Sequence, residues 1–369
     1  MTTKAKAAVV REVGKPWTIE DVDVAAPQDD EVLVRMVGTG ICHTDVGCKD
    51  GHFPVPMPIV LGHEGAGVVE AVGAKVTKVR VGDHVVLSFD SCGECRNCDE
   101  HLPSYCYTFY PRNLAGVRPD GSHTLSQGGT PLNAVFFTQS SFATFALARE
   151  LNTIVIDKSL PLDIMGPLGC GIQTGAGAAV NALGVKKGES LAIFGGGAVG
   201  LSALMGARAV DAGTVIVIEP NAGRRALALE LGATQVIDPK TTDDVLAAIK
   251  EASGGGVNYT LDTTGISPVI ANAVEALLPN GICGLLGVPS SPEANVPANM
   301  MSMLVRGVGV KYIVEGDADP QEFIPRMAGW FAAGKFPFDK LVKKFPFDQI
   351  NEAAAASLSG DVVKPVVVF

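Results

Sequence analysis

The sequence predicts an α/β protein with two domains, one mostly β and one built on a doubly wound parallel sheet. The chain has 369 residues, more than a single hydrophobic core usually organises. Its first part reads as short strands interrupted by glycine, proline and aspartate, whereas strands and helices alternate in the later part. Such alternation is typical of a parallel sheet covered by helices. We therefore expect residues 1–171 and 315–369 to form the first domain and residues 172–314 to form the second.

Composition argues against several classes of function. Hydrophobic residues make up 47% of the chain and charged residues 18%, which suits a large buried interior rather than disorder. A net charge of −10 argues against nucleic acid or an anionic membrane surface as a partner. The first residues lack the apolar core of a signal peptide, and no apolar stretch is uninterrupted enough for a membrane helix. We expect a cytoplasmic protein, in which eight cysteines indicate metal binding or catalysis before disulfides.

In the first domain, strands such as 31–37 and 82–87 alternate with turns that carry three potential metal ligands. They are Cys42, His63 and Cys170; His63 and Cys170 lie beside glycine, which lets the backbone turn sharply. A single histidine in such a place is most often a satisfied core residue. Two thiolates and one imidazole, however, leave one position of a tetrahedron open, and this is the ligand set of a catalytic zinc.

Four further cysteines follow in one short segment: Cys92, Cys95, Cys98 and Cys106. Four thiolates at this spacing can surround one tetrahedral ion, which predicts a closed structural zinc site. An iron–sulfur cluster is the alternative, because the first three cysteines also open bacterial ferredoxin motifs. Those motifs close with a cysteine after three residues, followed by proline, whereas here seven residues intervene and Tyr107 follows. The spacing therefore favours zinc.

The second domain opens with a nucleotide-binding pattern. A buried strand over 190–194 leads into Gly195, Gly197 and Gly200, which satisfy G-x-G-x-x-G between a strand and a helix. A second buried strand ends at Glu219, 19 residues beyond Gly200, where a Rossmann fold holds the adenosine ribose diol. A carboxylate there predicts NAD rather than NADP. Further strands of the same sheet are predicted over 235–238, 259–265 and 281–288.

Residues 62–67, Gly-His-Glu-Gly-Ala-Gly, followed by Gly73 and Val76, resemble the zinc-containing alcohol dehydrogenase signature of the medium-chain dehydrogenase/reductase superfamily. The resemblance extends along essentially the whole chain and is strongest to aryl (benzyl) alcohol dehydrogenases. It implies a GroES-like catalytic domain that binds zinc, a Rossmann domain that binds NAD, and two Zn²⁺ per chain, one catalytic and one structural. It also implies a homodimer or homotetramer.

The resemblance further implies a proton relay beside the catalytic zinc. Thr44 would be its first hydroxyl, and Asp45 would orient the ring of His63. From the residues alone, Thr44 and Asp45 could equally cap their own backbone. In many relatives the relay ends on a histidine five residues after the first zinc cysteine, but this sequence has Gly47 there. The relay must then end at the ribose hydroxyl, at water or at another residue such as His52.

Cofactor contacts are implied in the same way. His43, grouped with the catalytic residues, and Lys364 resemble the family positions that contact the pyrophosphate, and the backbone around Val288 would meet the nicotinamide carboxamide. From the residues alone, Lys364 could equally be a solvated lysine beside a C-terminal strand. Arg224 and Arg225 lie one helical turn beyond the ribose-binding carboxylate, where they could soften the discrimination against NADP.

Aromatic side chains are concentrated around the four cysteines. They could form a plain hydrophobic core, or some of them could wall a substrate pocket. The set comprises Phe89, Tyr105, Tyr107, Phe109, Tyr110, Phe136, Phe137, Phe142 and Phe145, nine of 22 aromatic residues in the chain.

We expect reversible NAD-dependent oxidation of a small primary alcohol of the benzyl type to its aldehyde. A glutathione-dependent formaldehyde dehydrogenase or another zinc alcohol or polyol dehydrogenase is the alternative. A non-catalytic NAD-binding protein on this fold is a third possibility. The intact set of Cys42, His63 and Cys170 argues against that third possibility.

Overall fold

The computed structural model describes residues 2–289, 291 and 293–369, which form two compact units. The first unit comprises the residues up to Gly171 together with Asp319–Ala332 and Asp339–Phe369; the second comprises Ile172–Ala318 and Ala333–Phe338. Residues 315–318 and 333–338, expected in the segment that returns to the first domain, therefore group with the second unit. Contacts within the second unit explain part of this difference, since Thr174 Oγ1 donates to Glu315 at 3.1 Å and Lys311 pairs with Asp317 at 2.6 Å.

The regular elements follow one another along the chain with mostly short connections. The strands are β1 (Thr3–Val10), β2 (Thr18–Val24), β3 (Glu31–Gly40), β4 (Ile59–Val60), β5 (Gly65–Val72), β6 (His84–Leu87), β7 (Leu125–Gln127), β8 (Thr130–Leu132), β9 (Phe145–Arg149), β10 (Thr153–Ile156), β11 (Leu191–Phe194), β12 (Val215–Ile218), β13 (Gln235–Ile237), β14 (Val257–Asp262), β15 (Leu277–Leu285), β16 (Gly309–Tyr312), β17 (Val342–Pro346) and β18 (Lys364–Val368). The α-helices are α1 (His43–Lys49), α2 (Arg96–Asp99), α3 (Phe109–Leu114), α4 (Gly171–Gly177), α5 (Ala198–Ala209), α6 (Ala222–Glu230), α7 (Val245–Ser253), α8 (Ser267–Glu275), α9 (Met300–Arg306), α10 (Pro320–Ala332) and α11 (Ile350–Leu358).

The first unit contains two sheets. One runs β4-β1-β2-β7-β8 and is antiparallel; the other runs β10-β6-β5-β3-β18-β17, with β9 also paired to β3. Strand β3 is central to the second sheet because it pairs with β5, β9 and β18. Strand β18, more than 300 residues beyond β3 in the chain, therefore pairs directly with the central strand of this sheet. The main core of the unit includes the fully buried side chains of Ile41, Leu61, Phe136 and Phe142.

The second unit contains a parallel sheet with the order β13-β12-β11-β14-β15-β16. Every residue of β11 and β12 is buried, as expected for strands covered by helices on both faces. The chain runs outward from β11 to β13 and then crosses back to β14 on the other side of β11. Such a reversal leaves a crevice at the carboxyl ends of the strands, where ligands of open α/β sheets bind. The predicted doubly wound Rossmann sheet is confirmed.

Among the described residues, no helix combines the length and the apolar content needed to cross a lipid bilayer.

Candidate active site

The first metal ligand of the predicted catalytic site lies at the junction of β3 and α1. Cys42 is the residue before α1, and its backbone N–H donates to Asp45 Oδ2 at 2.9 Å, so the first turn of the helix fixes the cysteine backbone. The neighbouring Cys170 thiol and then the His63 ring lower the pKa of the Cys42 thiol well below its usual value, despite burial. The geometry thus favours the thiolate, which is the form that binds a metal.

The imidazole of His63 is fixed by Asp45. Nδ1 of His63 lies 3.0 Å from Asp45 Oδ1, and the same oxygen accepts from the Gly62 N–H at 3.0 Å; both side chains are buried. Gly62 has a φ of +93°, and a Cβ there would lie 2.4 Å from the backbone nitrogen of Phe142. Only glycine fits this approach, which explains why glycine precedes the histidine.

The arrangement around His63 Nε2 fits a metal ion. This nitrogen is buried and, within the part of the chain that the structure describes, has no hydrogen-bond partner. A buried polar atom without a partner is costly. Ligand atoms of Cys42, His63, Glu64 and Cys170 all lie within 4.8 Å of one another. Two sulfurs and the free ring nitrogen therefore form the predicted Cys–His–Cys set, and a zinc ion would satisfy the orphaned nitrogen.

Glu64 is a site residue to which sequence reasoning gave no role. Its carboxylate is fully buried and accepts from Lys364 Nζ at 2.8 and 3.0 Å and from the Gly171 N–H at 3.1 Å. Burial alone would lower the pKa of Lys364, but the negative charges of Glu64, Cys42 and Cys170 together outweigh burial and raise that pKa above its usual value. The ammonium group of Lys364 is thus directed at Glu64, and its contact with pyrophosphate stays a prediction. The position of Glu64 beside His63, between glycines, was the available signal.

The predicted relay begins beside the metal site, and the space at Gly47 is limited. Thr44 Oγ1 lies 3.7 Å from Cys42 Sγ, so the hydroxyl is beside the metal site, whereas His43 is exposed. At Gly47 a Cβ would lie 2.9 Å from the ring of Phe53. The space that a relay histidine would need at this position is therefore partly filled by an aromatic ring.

The four cysteines predicted to form the structural site come together. Cys98 Sγ lies 3.8 Å from Cys92 Sγ and 3.5 Å from Cys95 Sγ, and the backbone N–H of Cys92 points to Cys106 Sγ at 3.2 Å. All four sulfur atoms lie within 4.8 Å of one another. Backbone N–H groups, first that of Tyr107, lower the pKa of Cys95 to about 6. Four converging sulfurs, one of them readily ionised, fit a closed tetrahedral zinc site.

A third group of metal-ligand type lies on the surface of the first unit. His101 Nδ1 approaches Asp319 at 3.2 Å and Glu322 at 3.8 Å. His101 and Glu322 are well exposed. We therefore interpret these contacts as surface ion pairs and not as a metal site.

The three glycines of the G-x-G-x-x-G motif have two different roles. Gly195 has a φ of +103°, and a Cβ there would lie 2.3 Å from Thr263 Oγ1; a Cβ on Gly200 would lie 1.9 Å from the carbonyl oxygen of Gly195. These two glycines are thus required by the protein itself. Around Gly197, in contrast, no atom lies within 4 Å of where a Cβ would be. Open space at the start of α5 fits a pyrophosphate, which approaches the backbone closely at the middle glycine of this motif.

Glu219 lies at the end of β12 and is buried. Its carboxylate accepts from the backbone N–H of Gly196 at 2.6 Å and from that of Asn221 at 2.8 Å. Arg225 donates to the Glu219 carbonyl at 2.8 Å and pairs with Asp238 at 2.8 Å, so its charge is already engaged. The fixed carboxylate beside the glycine loop fits the ribose of a dinucleotide.

Two other predicted cofactor residues have simpler surroundings. Arg224 lies in the first turn of α6, where its backbone N–H donates to Asn221 Oδ1 at 3.1 Å. Val288 follows β15 and is exposed, with its carbonyl oxygen on the side of Gly265, and its contact with the nicotinamide stays a prediction.

The aromatic side chains divide into two groups. One forms a chain of contacts that begins at the metal site: the His63 ring stacks on Phe137 at 4.5 Å and 24° and meets Phe136 edge-on at 5.4 Å. Phe109 contacts Phe137 at 6.3 Å, and Phe89 contacts Phe109 at 5.6 Å. We call Phe89, Phe109, Phe136 and Phe137 the ring cluster. In the described part of the chain, the second group makes no ring contact with His63: Phe142 packs on Trp17 in the core, Tyr107 is exposed, and the exposed Tyr110 meets the ring of Phe109 at 6.2 Å.

A closed four-cysteine site, an open Cys–His–Cys site and a Rossmann sheet together define a zinc-dependent dehydrogenase. The chain matches the family described as alcohol dehydrogenase GroES-like domain over residues 28–150 and the family described as zinc-binding dehydrogenase over residues 198–332. It is 57% identical over 366 residues to a geraniol dehydrogenase from Castellaniella defragrans, a match that covers 99% of this chain and 98% of that protein. The chain belongs to the zinc-containing alcohol dehydrogenases of the medium-chain dehydrogenase/reductase superfamily. It is an alcohol dehydrogenase whose cofactors are zinc and NAD.

Solved structures agree over the whole chain. The crystal structure of benzyl alcohol dehydrogenase from Acinetobacter calcoaceticus is 44% identical, with a TM-score of 0.96 over 100% of this chain and 99% of that one. An alcohol dehydrogenase zinc-binding domain protein from Burkholderia ambifaria is 49% identical, with a TM-score of 0.98 over 100% of both chains. The predicted family, with its GroES-like and Rossmann domains, is confirmed.

Proposed function

We propose that the protein oxidises primary alcohols whose carbinol carbon is bonded to a planar unsaturated group, with benzyl-type alcohols as its main substrates. The ring cluster is the observation that carries this proposal, because it begins in direct contact with the metal ligand His63. Two relatives support it by their names: one is a geraniol dehydrogenase and one a benzyl alcohol dehydrogenase. Geraniol and benzyl alcohol share an sp² carbon next to the carbinol carbon.

The residues of the chain would divide the work as follows. Bound at the Cys42–His63–Cys170 site, zinc supplies a Lewis acid that favours ionisation of the alcohol, and NAD supplies the hydride acceptor. Asp45 accepts from His63 Nδ1–H and so leaves Nε2 free to bind the metal. Thr44 Oγ1 accepts the proton of the substrate hydroxyl and donates its own proton to the next acceptor.

The free energy of aromatic contacts between the ring cluster and the substrate sets the size of the expected preference for unsaturated alcohols. An offset or edge-on aromatic contact contributes about 0.5–1.5 kcal/mol beyond the burial of area. Each such contact corresponds to roughly a two- to twelve-fold preference, so two or three contacts separate benzyl alcohol clearly from ethanol. A polyol would leave its hydroxyl groups against apolar rings, and this argues against the polyol dehydrogenase alternative.

Matched pairs of alcohols test the proposal. We expect kcat/KM to be higher for benzyl alcohol than for cyclohexylmethanol, and higher for geraniol than for citronellol, which lacks the double bond beside the carbinol carbon. Hexanol and ethanol serve as saturated linear references. Equal values within both pairs, or hexanol equal to benzyl alcohol, would refute the role of the ring cluster without affecting the zinc chemistry.

An allylic terpenoid alcohol is the second candidate for the main substrate. It is favoured by the 57% identity to a geraniol dehydrogenase over nearly the whole chain. The ratio of kcat/KM for geraniol to that for benzyl alcohol decides between the two, and a ratio well above one supports the terpenoid.

We also propose that the enzyme is a cytoplasmic homo-oligomer. In the described part of the chain none of the eight cysteines forms a disulfide, which supports a reducing compartment. Self-association is supported by an apolar patch beside the edge strand β16 of the second unit, formed by Met300, Met301, Leu304, Val305 and Tyr312, with 65–85% of each residue exposed. Several exposed apolar side chains in one short helix and a nearby strand are typical of interaction sites.

A further inference from the structure

The segment that carries the ring contact to His63 has an unusual backbone. Phe137, Thr138 and Ser140 have φ values of 48°, 49° and 46°, in the left-handed region that L-residues rarely adopt. We call residues 136–140 the strained turn. All five residues are buried, so the strain is held by the packing and hydrogen bonds of the interior rather than by solvent.

Gln139 is the residue of the strained turn with the most direct link to the metal site. Its Nε2 donates to the His63 carbonyl and to the Ser88 carbonyl, each at 3.0 Å, and its Oε1 accepts from the Gly65 N–H at 3.1 Å. The side chain is buried. Its three bonds go to Gly65 at the start of β5, to Ser88 directly after β6, and to the metal ligand His63. One amide therefore connects the strained turn to the backbone of His63.

His63 is consequently held by four contacts that leave Nε2 free. Asp45 binds Nδ1, Phe137 covers one face of the ring, Phe136 meets it edge-on, and Gln139 binds the carbonyl oxygen. An imidazole restrained in this way presents its remaining nitrogen in one direction only.

We propose that Gln139 is a positioning residue for the catalytic metal, because it fixes the backbone of His63 and holds the strained turn that keeps Phe137 against the imidazole. The inference rests on the proposed role of His63 as a metal ligand, but not on the identity of the alcohol. Without Gln139 the His63 carbonyl and the Gly65 N–H lose the amide that binds them, whereas the Ser88 carbonyl keeps its bond from Asn152 Nδ2. The strained turn then loses the side chain that ties it to the metal ligand.

Metal exchange provides a readout that is independent of turnover. With cobalt(II) exchanged into the catalytic site, the visible absorption bands report the geometry of the ligands. We expect Gln139→Ala to shift these bands and to release the metal to a chelator about tenfold faster, because outer contacts of metal ligands typically change metal affinity by 10- to 100-fold. Phe137→Leu keeps the bonds of Gln139 but removes the stacked ring; we expect a shift in the same direction.

Asn113 supplies a matched control. Its buried amide also makes three bonds, accepting from the Asp90 N–H at 2.9 Å and donating to the carbonyls of Asp90 and Phe109 at 2.9 and 2.8 Å. Asn113→Ala should lower the melting temperature about as much as Gln139→Ala does. Its cobalt spectrum and its rate of metal release, however, should equal those of the wild type.

Wild-type spectra and release rates in both Gln139→Ala and Phe137→Leu would overturn the proposal. Changes of equal size in Asn113→Ala would overturn it as well, since they would show a general loss of packing. If Gln139→Ala does not fold, Phe137→Leu decides. Should the wild type oxidise none of the tested alcohols while its cobalt spectrum still responds to Gln139→Ala, the substrate proposal fails and the positioning role stands.

Discussion

At the scale of single residues, the hydroxyl of Thr44 is the simplest group to test. Thr44→Val keeps the shape of the side chain but removes the oxygen beside the metal site, so the proton of the substrate loses its first acceptor. We expect kcat for alcohol oxidation to fall by about 10²-fold or more, with the Kd for NADH unchanged. Thr44→Ser restores the hydroxyl and should recover most of the rate. Turnover of Thr44→Val near that of the wild type would show that the proton leaves by another route.

The buried pair of Glu64 and Lys364 is a second test at this scale. Lys364→Met leaves the carboxylate of Glu64 buried, with only the Gly171 N–H among the bonds described above. Removing one partner of a buried pair typically costs about 3–5 kcal/mol, so the free energy of unfolding in urea should fall by that order. The double variant Glu64→Gln/Lys364→Met should regain part of the loss. A loss below about 1 kcal/mol for Lys364→Met would mean that the pair behaves like a surface ion pair.

We expect Glu219 to decide the choice between NAD and NADP. Its buried carboxylate is fixed by two backbone N–H groups and would repel a 2′-phosphate, while Arg225 is already paired with Asp238. Glu219→Gln keeps the shape and removes the charge. We expect the ratio of kcat/KM for NAD to that for NADP to fall by tenfold or more, and Asp238→Asn, which frees Arg225, to lower it further in the double variant. Comparable values for both cofactors in the wild type would contradict this reading.

At the scale of elements, the two groups of sulfur ligands should respond differently to substitution. Cys98 lies in the helix α2, whose surrounding loop is tied together by the four sulfurs, so Cys98→Ser should destabilise or aggregate the protein. Cys170→Ser should abolish turnover but leave a folded chain that binds NADH. Elemental analysis should find two zinc ions per wild-type chain and one in folded Cys170→Ser. One zinc, or iron, in the wild type would contradict the assignment of the four-cysteine site.

At the same scale, the sequence predicts features that depend on local spacing but not those that depend on distant contacts. The glycine loop, the carboxylate after β12 and the four cysteines depend on local spacing, so pattern alone places them correctly. The strained turn gives no such signal: Phe137, Thr138 and Ser140 are ordinary residues whose backbone is imposed by bonds such as that from Gln139 to His63, 76 positions away. Likewise, only packing separates Phe137, which stacks on the histidine, from Phe142, which packs in the core.

At the scale of the whole molecule, the alternation of strands and helices was sufficient to predict the parallel sheet. It could not predict that residues 333–338 return to the second unit, where Phe336 and Phe338 are fully buried. So short a segment carries no periodicity, and its position is decided by burial of two aromatic rings.

The apolar patch on α9 and β16 belongs to the same scale. If copies of the chain associate through it, Leu304→Glu places a charge within the interface, and sedimentation velocity should show a smaller species at micromolar concentration. Leu229→Glu, at an exposed position on α6, is the control and should leave the wild-type assembly unchanged. The proposal would be contradicted if the wild type were monomeric. It would also be contradicted if both variants had the same sedimentation coefficient as the wild type.

The pairing of Glu64 with Lys364 also bears on how the protein is made. The two residues are 300 positions apart, and β18, which begins at Lys364, is the strand that joins β3 to β17. A ribosome therefore releases all the predicted zinc ligands long before it supplies the lysine that neutralises the carboxylate beside them. Until β18 emerges, the sheet lacks the strand between β3 and β17, and the Glu64 carboxylate lacks its ammonium partner. A premature stop before Lys364 would therefore leave the sheet of the metal-binding unit unfinished, although every predicted zinc ligand had been made.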